Sequence, residues 1–105
     1  MEKELIRNRL SIIFTKDELN RLTFNQDQSG VEIIADVHGM KCFQAKRFLN
    51  NILNMASYKI KLTVIHGYNH GTAIKDMISN GLGNSHIIQT YNDEKNIGRT
   101  FIIAA

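Results

Sequence analysis

Two short runs of mostly β-branched residues, each closed by the same dipeptide, constrain this chain more than any other feature. The first, residues 31–37, contains Val31, Ile33, Ile34 and Val37 and stops at His38-Gly39; the second, residues 61–65, contains Leu62, Thr63, Val64 and Ile65 and stops at His66-Gly67. Runs this short and apolar suit inner strands of a sheet, and a glycine directly after them marks a tight turn. Between them, residues 41–57 set Cys42, Ala45, Leu49, Ile52 and Ala56 on one stripe, with Lys46, Arg47, Asn50, Asn51 and Asn54 off it. That spacing predicts an amphipathic helix. Strand, helix and strand in succession close as a right-handed crossover, so the two strands should lie parallel in one sheet.

The pattern continues beyond the second strand. Residues 72–80 turn Ile74, Met77 and Ile78 inward and stop near Gly81, which predicts a second helix, and residues 85–91 and 100–104 read as two further strands around a charged turn. The order is β-α-β-α-β-β. Upstream, Thr15 and Glu18 have the spacing of a capping box, so a short helix is expected from Thr15 to about Thr23. Residues 25–30 are polar and end in Ser29-Gly30, a composition that reads as a linker. The expected organisation is therefore an N-terminal extension over residues 1–30 and a main body over residues 31–105.

Charge divides along the same boundary. Residues 1–30 hold five basic and five acidic side chains, whereas residues 31–105 hold eight basic and five acidic, so the whole net charge of +3 lies in the main body. This mild basic excess is compatible with a nucleic-acid partner. No apolar run approaches the roughly 18 residues of a membrane-spanning helix, so no membrane partner is expected. The N-terminus interleaves charges with apolar residues where a secretion signal would be uninterrupted. The lone Cys42 cannot form an internal disulfide, and its place on the helical stripe predicts a buried thiol. Both features point to a cytoplasmic protein.

In a parallel pair, both His-Gly segments emerge at the same sheet edge, where helix N-termini leave backbone N–H groups unpaired and favour anions. Residues two apart on a strand share a face, so Asp36 and His38 project together. A carboxylate beside an imidazole fixes its tautomer and raises its basicity, as a general base or acid requires. An ordinary turn also uses such a pair, and Gly67 and Gly71 alone fit turn glycines.

The joint pattern resembles the small MutS-related (Smr) domain, a family marked by L-D-x-H-G at the end of its first strand and H-G-x-G-x-G at the end of its second. Here the first motif reads Ala35-Asp36-Val37-His38-Gly39 and the second reads His66-Gly67-Tyr68-Asn69-His70-Gly71. Ala35 replaces the family leucine and Asn69 the middle glycine; the likeness covers residues 31–105. The resemblance implies a two-layer α/β sandwich (an α+β arrangement) with two helices on one face of a mixed sheet. It also implies nucleic-acid binding, with some members nicking DNA and others cleaving RNA, including mRNA on stalled ribosomes. Ribosome association is thereby an expectation too.

An RNA strand brings its own nucleophile, the 2′-hydroxyl, whereas DNA hydrolysis needs an activated water, usually on a metal held by several carboxylates. Asp36 is the one clear carboxylate at this edge, so RNA is the favoured substrate and no cofactor is expected, a divalent metal entering if DNA is cut. In this reading Asp36, His38 and His66 carry the catalysis, and Gly39, Lys41, Gly67, Asn69, Gly71, Lys75 and Arg99 hold the phosphate. The alternative is a module that binds RNA or DNA without cutting it, with Lys46, Arg47, Lys59 and Lys61 on the phosphates.

Overall fold

The computed structural model describes residues 2–55, 58–67 and 71–105. Among these residues the elements are, in order, α1 (Glu2–Ile13), α2 (Lys16–Leu19), β1 (Leu22–Asp27), β2 (Gly30–Asp36), α3 (Cys42–Met55), β3 (Ile60–Ile65), α4 (Ala73–Ser79), β4 (Ile87–Asn92) and β5 (Arg99–Ala104). The five strands form one mixed sheet in the order β1-β2-β3-β5-β4. β2 and β3 are parallel, as the crossover through α3 requires, with Asp36 opposite Ile65 at the edge where both His-Gly segments leave the sheet.

Alternation along the strands shows which face the helices cover. In β2 the residues Val31, Ile33 and Ala35 are buried, and in β5 Thr100, Ile102 and Ala104 are buried, each separated by half-buried neighbours. One face is packed and the other is open. The packed face meets Ala45, Phe48, Leu49, Ile52 and Leu53 of α3 and Ile74 and Ile78 of α4 in a single apolar cluster. The buried stripe on α3 adds Phe48 and Leu53 to the expected Ala45, Leu49 and Ile52, while Ala56 lies outside the described residues. Cys42 is half-buried, a correction to the fully buried thiol that its place on the stripe suggested.

The first thirty residues differ most from the sequence reading. The capping box is present, since Thr15 Oγ1 accepts the Glu18 N–H at 3.2 Å and Glu18 Oε1 accepts the Thr15 N–H at 2.9 Å. The helix it starts ends at Leu19, well before Thr23, because Leu22 enters a strand. Residues 25–30 are not a linker: β1 pairs antiparallel with β2 from Leu22 opposite Ala35 to Asp27 opposite Gly30. The Asp27 carboxylate closes this hairpin by accepting the Ser29 N–H at 2.8 Å. The Ser29 hydroxyl on the same carboxylate, together with that N–H, holds its pKa below the usual 3.8.

Ahead of the hairpin, α1 packs Ile6 and Leu10 into the common apolar cluster, and Phe14 stacks on Phe48 of α3 with ring centroids 4.8 Å apart. Truncating a side chain as buried as Leu10 typically costs about 2–5 kcal/mol, so this segment contributes directly to the stability of the sheet it covers.

Candidate functional site

β2 ends at Asp36 because the chain turns there. The Asp36 N–H still pairs with the Arg21 carbonyl on one side at 2.9 Å, and the Val37 N–H with the Ile65 carbonyl on the other at 2.9 Å. Val37 is buried in the core, so Asp36 and His38 are thrown to the opposite side. There the Asp36 carboxylate receives His38 Nδ1 in a close contact, and the same oxygen accepts the His38 N–H at 3.2 Å. A carboxylate only accepts, so Nδ1 carries the hydrogen and Nε2 is the nitrogen left for proton exchange. The His38 side chain is 65% exposed, and Nε2 has no partner among the described residues.

The turn then needs a backbone that only glycine adopts at little cost. Gly39 has φ +80, and the Met40 N–H closes on the Val37 carbonyl at 3.0 Å. Lys41 precedes α3 and offers no acceptor for the helix's first N–H groups, while Gln44 Oε1 accepts the Lys41 N–H at 3.1 Å. The first N–H groups of this 14-residue helix thus have no intrahelical acceptor.

The second His-Gly segment is built differently. His66 is 7% exposed, and both ring nitrogens are engaged: Nδ1 donates to the Gly67 carbonyl at 2.9 Å, and Nε2 lies 2.9 Å from the hydroxyl of fully buried Thr100 on β5. Because a carbonyl only accepts, Nδ1 bears a hydrogen, while the Thr100 hydroxyl donates to Asn92 Oδ1 at 3.2 Å and its oxygen sits against Nε2. The His66 and Gly67 N–H groups both donate to the Gly98 carbonyl, at 2.9 and 3.1 Å. His66 therefore ties the end of β3 to β5, and neither of its ring nitrogens is left open in the way that those of the expected proton carrier would be.

The two segments meet as their parallel strands require. A Cβ placed on Gly67 would stand 3.6 Å from His38 Cβ. Between the segments lies a cleft of about 740 Å³, with His38, Gly39 and Lys41 on one wall and Gly67, Gly71 and Lys75 on the other. Met40, Cys42, Ile65 and Ile74 supply an apolar floor. Seven of the ten expected site residues line this cleft, counting His66, and Asp36 reaches it through His38.

Of the remaining two expected residues, one is not described and the other is held elsewhere. Asn69 lies outside the described residues. Arg99, expected to neutralise a phosphate, is committed elsewhere: its Nε and Nη2 donate to Asp93 Oδ2 at 3.0 and 2.6 Å, and its guanidinium stands 5.9 Å from the Phe101 ring centroid. The Asp93 carboxyl is in turn held below its usual pKa, first by the Lys95 backbone N–H and then by Arg99.

One residue at the site was missed from the sequence. Arg21 Nη1 donates to the carbonyls of Asp36 at 3.0 Å and of His38 at 3.3 Å, bracing the turn that carries the imidazole. The alternation of Leu22, Phe24 and Gln26 ahead of Ser29-Gly30 is the hairpin signal that would have brought Arg21 beside Asp36. Among the described residues no group of three or more His, Cys, Asp or Glu side chains converges as a metal site, and no described helix is long and apolar enough to cross a membrane. Comparison with family models, with curated proteins and with solved structures finds no match.

Proposed function

We propose that this chain is a nucleic-acid-binding protein of the Smr type and an endonuclease that cleaves RNA at the cleft between its two His-Gly segments. The observation that carries this reading is the His38 imidazole: its Nδ1 rests on the Asp36 carboxylate and its Nε2 is open to solvent beside Lys41. A ring oriented in this way is ready to act as a general base. The apolar floor suits a base or ribose, and the two lysines and the free N–H groups of α3 suit a phosphate.

In the reaction, His38 Nε2 takes the proton of a ribose 2′-hydroxyl, and the oxygen attacks the adjacent phosphorus. The P–O5′ bond breaks, the 5′-oxygen takes up a proton at the open mouth of the cleft, and a 2′,3′-cyclic phosphate remains. Lys41, Lys75 and the helix N–H groups neutralise the charge that builds on the phosphoryl oxygens. This route uses no cofactor. A general base of this kind typically contributes about 10²–10⁴ in rate.

The test is incubation of the purified protein with labelled single-stranded RNA, structured RNA and supercoiled plasmid, each with and without chelator. The expected result is cutting of RNA that survives the chelator and leaves 2′,3′-cyclic or 3′-phosphate ends. Retention of RNA without any cut would replace the nuclease by a binding module, and chelator-sensitive nicking of the plasmid would replace RNA by DNA. Binding to none of the three would overturn the reading altogether.

A further inference from the structure

The turn at His38-Gly39 is a ridge with a second cleft on its other side. This one, about 380 Å³, shares Gly39 and Met40 with the first and is otherwise lined by Thr15, Glu18, Arg21, Gln44 and Arg47. None of these five belongs to the cleavage site expected from the sequence, and two of them are arginines. They come from separate parts of the chain: Arg21 from the segment leading into β1, and Arg47 from α3, one turn beyond Gln44 on the same side of the helix.

We infer that this second cleft is a phosphate subsite of the same nucleic-acid groove, so that a single-stranded RNA crosses the His38-Gly39 ridge and is gripped on both sides of the bond presented to His38. The inference rests on the nucleic-acid reading of the first cleft and extends the bound ligand from one phosphate to a strand. Its first support is the guanidinium of Arg21. One nitrogen, Nη1, bonds both the Asp36 and the His38 carbonyl, which fixes the group at the ridge and leaves the other edge of the fork for a phosphate. Its second support is charge. Two guanidinium groups face one carboxylate, and that carboxylate, Glu18, is already engaged by the Thr15 N–H in the capping box.

The third support is the shape of the ridge. Gly39 is exposed, its φ of +80 suits glycine alone, and nothing lies within 4 Å of where a Cβ would stand. Glycine there is required by the backbone conformation, and it also leaves the crest bare, so a strand can pass over it close to the backbone. The N-terminal segment thus supplies half of the grip on the strand.

Binding can be measured with 2′-O-methyl RNA, which lacks the nucleophile and so is not cut, as a trinucleotide and as a dodecanucleotide. The parent should bind the longer strand more tightly. Arg21→Gln combined with Arg47→Gln should weaken the dodecanucleotide by about ten-fold or more, and by clearly more than it weakens the trinucleotide. The log–log salt slope for the longer strand should fall by about 1.4, at about 0.7 for each single-strand phosphate that is no longer neutralised. The Arg47 side chain is exposed and holds no other group among the described residues, so Arg47→Gln alone should give part of the loss with the fold intact. Lys95→Gln, a charge change at an exposed side chain away from both of these clefts, should give none. Equal binding of the dodecanucleotide by parent and double variant, or an equal loss in Lys95→Gln, would overturn the inference and leave the first cleft standing. A parent that binds neither strand would overturn both.

Discussion

The two His-Gly turns occupy equivalent places, at the ends of adjacent parallel strands, and their imidazoles have opposite fates. His38 is 65% exposed on its side chain, rests one nitrogen on a carboxylate two residues away and keeps the other open. His66 is 7% exposed and engages both nitrogens inside the protein, one of them with Thr100, which is 34 residues away in the chain. The local sequence is nearly the same, but the neighbours differ. Beside His38 lie β1 and the braced turn of Arg21, which leave the ring outside; beside His66 lies β5, whose buried hydroxyl draws the ring in. The same dipeptide yields an exposed imidazole with one nitrogen open where it borders solvent and a tether where it borders a central strand.

The largest effect expected from this contrast is on chemistry at His38. His38→Ala should lower RNA cleavage by about 10²–10⁴ while shifting stability by roughly 0.5 kcal/mol or less, as an exposed side chain should. Asp36→Asn should lower it less, since it weakens the orientation of the ring without removing it. Cleavage rates alongside thermal unfolding would break the comparison if a folded His38→Ala protein cut as fast as the parent.

The reverse is expected at the other turn. His66→Ala should destabilise the fold by about 1–3 kcal/mol, because it leaves the buried Thr100 hydroxyl without its ring partner. Cleavage per folded molecule should fall far less than in His38→Ala. Urea denaturation together with rates at a temperature where both variants are folded would check it, and an unchanged midpoint would show that the tether carries no energy.

The glycines sharpen the contrast further. Gly39 and Gly67 have φ of +80 and +73, so alanine at either should cost about 1–2 kcal/mol in backbone strain. Only at Gly67 does the new methyl meet His38, 3.6 Å from its Cβ. That is ordinary van der Waals contact, so Gly67→Ala should leave the imidazole in place and lower cleavage less than Gly39→Ala, whose methyl would stand on the crest that the strand is inferred to cross. Equal rates in the two variants would mean that the strand does not pass close over Gly39.

The smallest effect concerns the turn that receives His66. Asp93 holds Arg99 beside Gly98, whose carbonyl takes the His66 and Gly67 N–H groups. Its pKa is lower in the folded chain than the usual 3.8, so its contribution to stability is present above 3.8 and is lost as pH falls through the folded value. Asp93→Asn should lower the unfolding temperature slightly at neutral pH, and the gap from the parent should close as the solution is acidified below 3.8. A gap that persists in acid would assign the effect to geometry and not to charge.

Much of this arrangement is legible in the sequence. The runs ending at His38-Gly39 and His66-Gly67 became β2 and β3 in parallel, the stripe through Ala45, Leu49 and Ile52 became α3, and Asp36 met His38 in the turn where β2 ends. Residues 25–30 misled because a polar hairpin and a polar linker share a composition, and the alternation of Leu22, Phe24 and Gln26 is short. Arg99 misled because its distance along the chain from the site says nothing of Asp93, six residues away, which claims it first.

By itself the sequence determined where the chain turns, which stretches beyond residue 30 are strands and helices, and that the two glycine turns share an edge. Those follow from periods of two and 3.6 residues and from the steric limits of single residues. The tertiary structure alone decided which histidine is free, that Arg21 braces the turn beside it, and that a second basic cleft adjoins the first. Each of those depends on partners brought together by strand pairing, β1 against β2 for Arg21 and β5 against β3 for His66. Such pairings are set by the burial of a whole sheet face, a quantity that no short stretch of sequence contains.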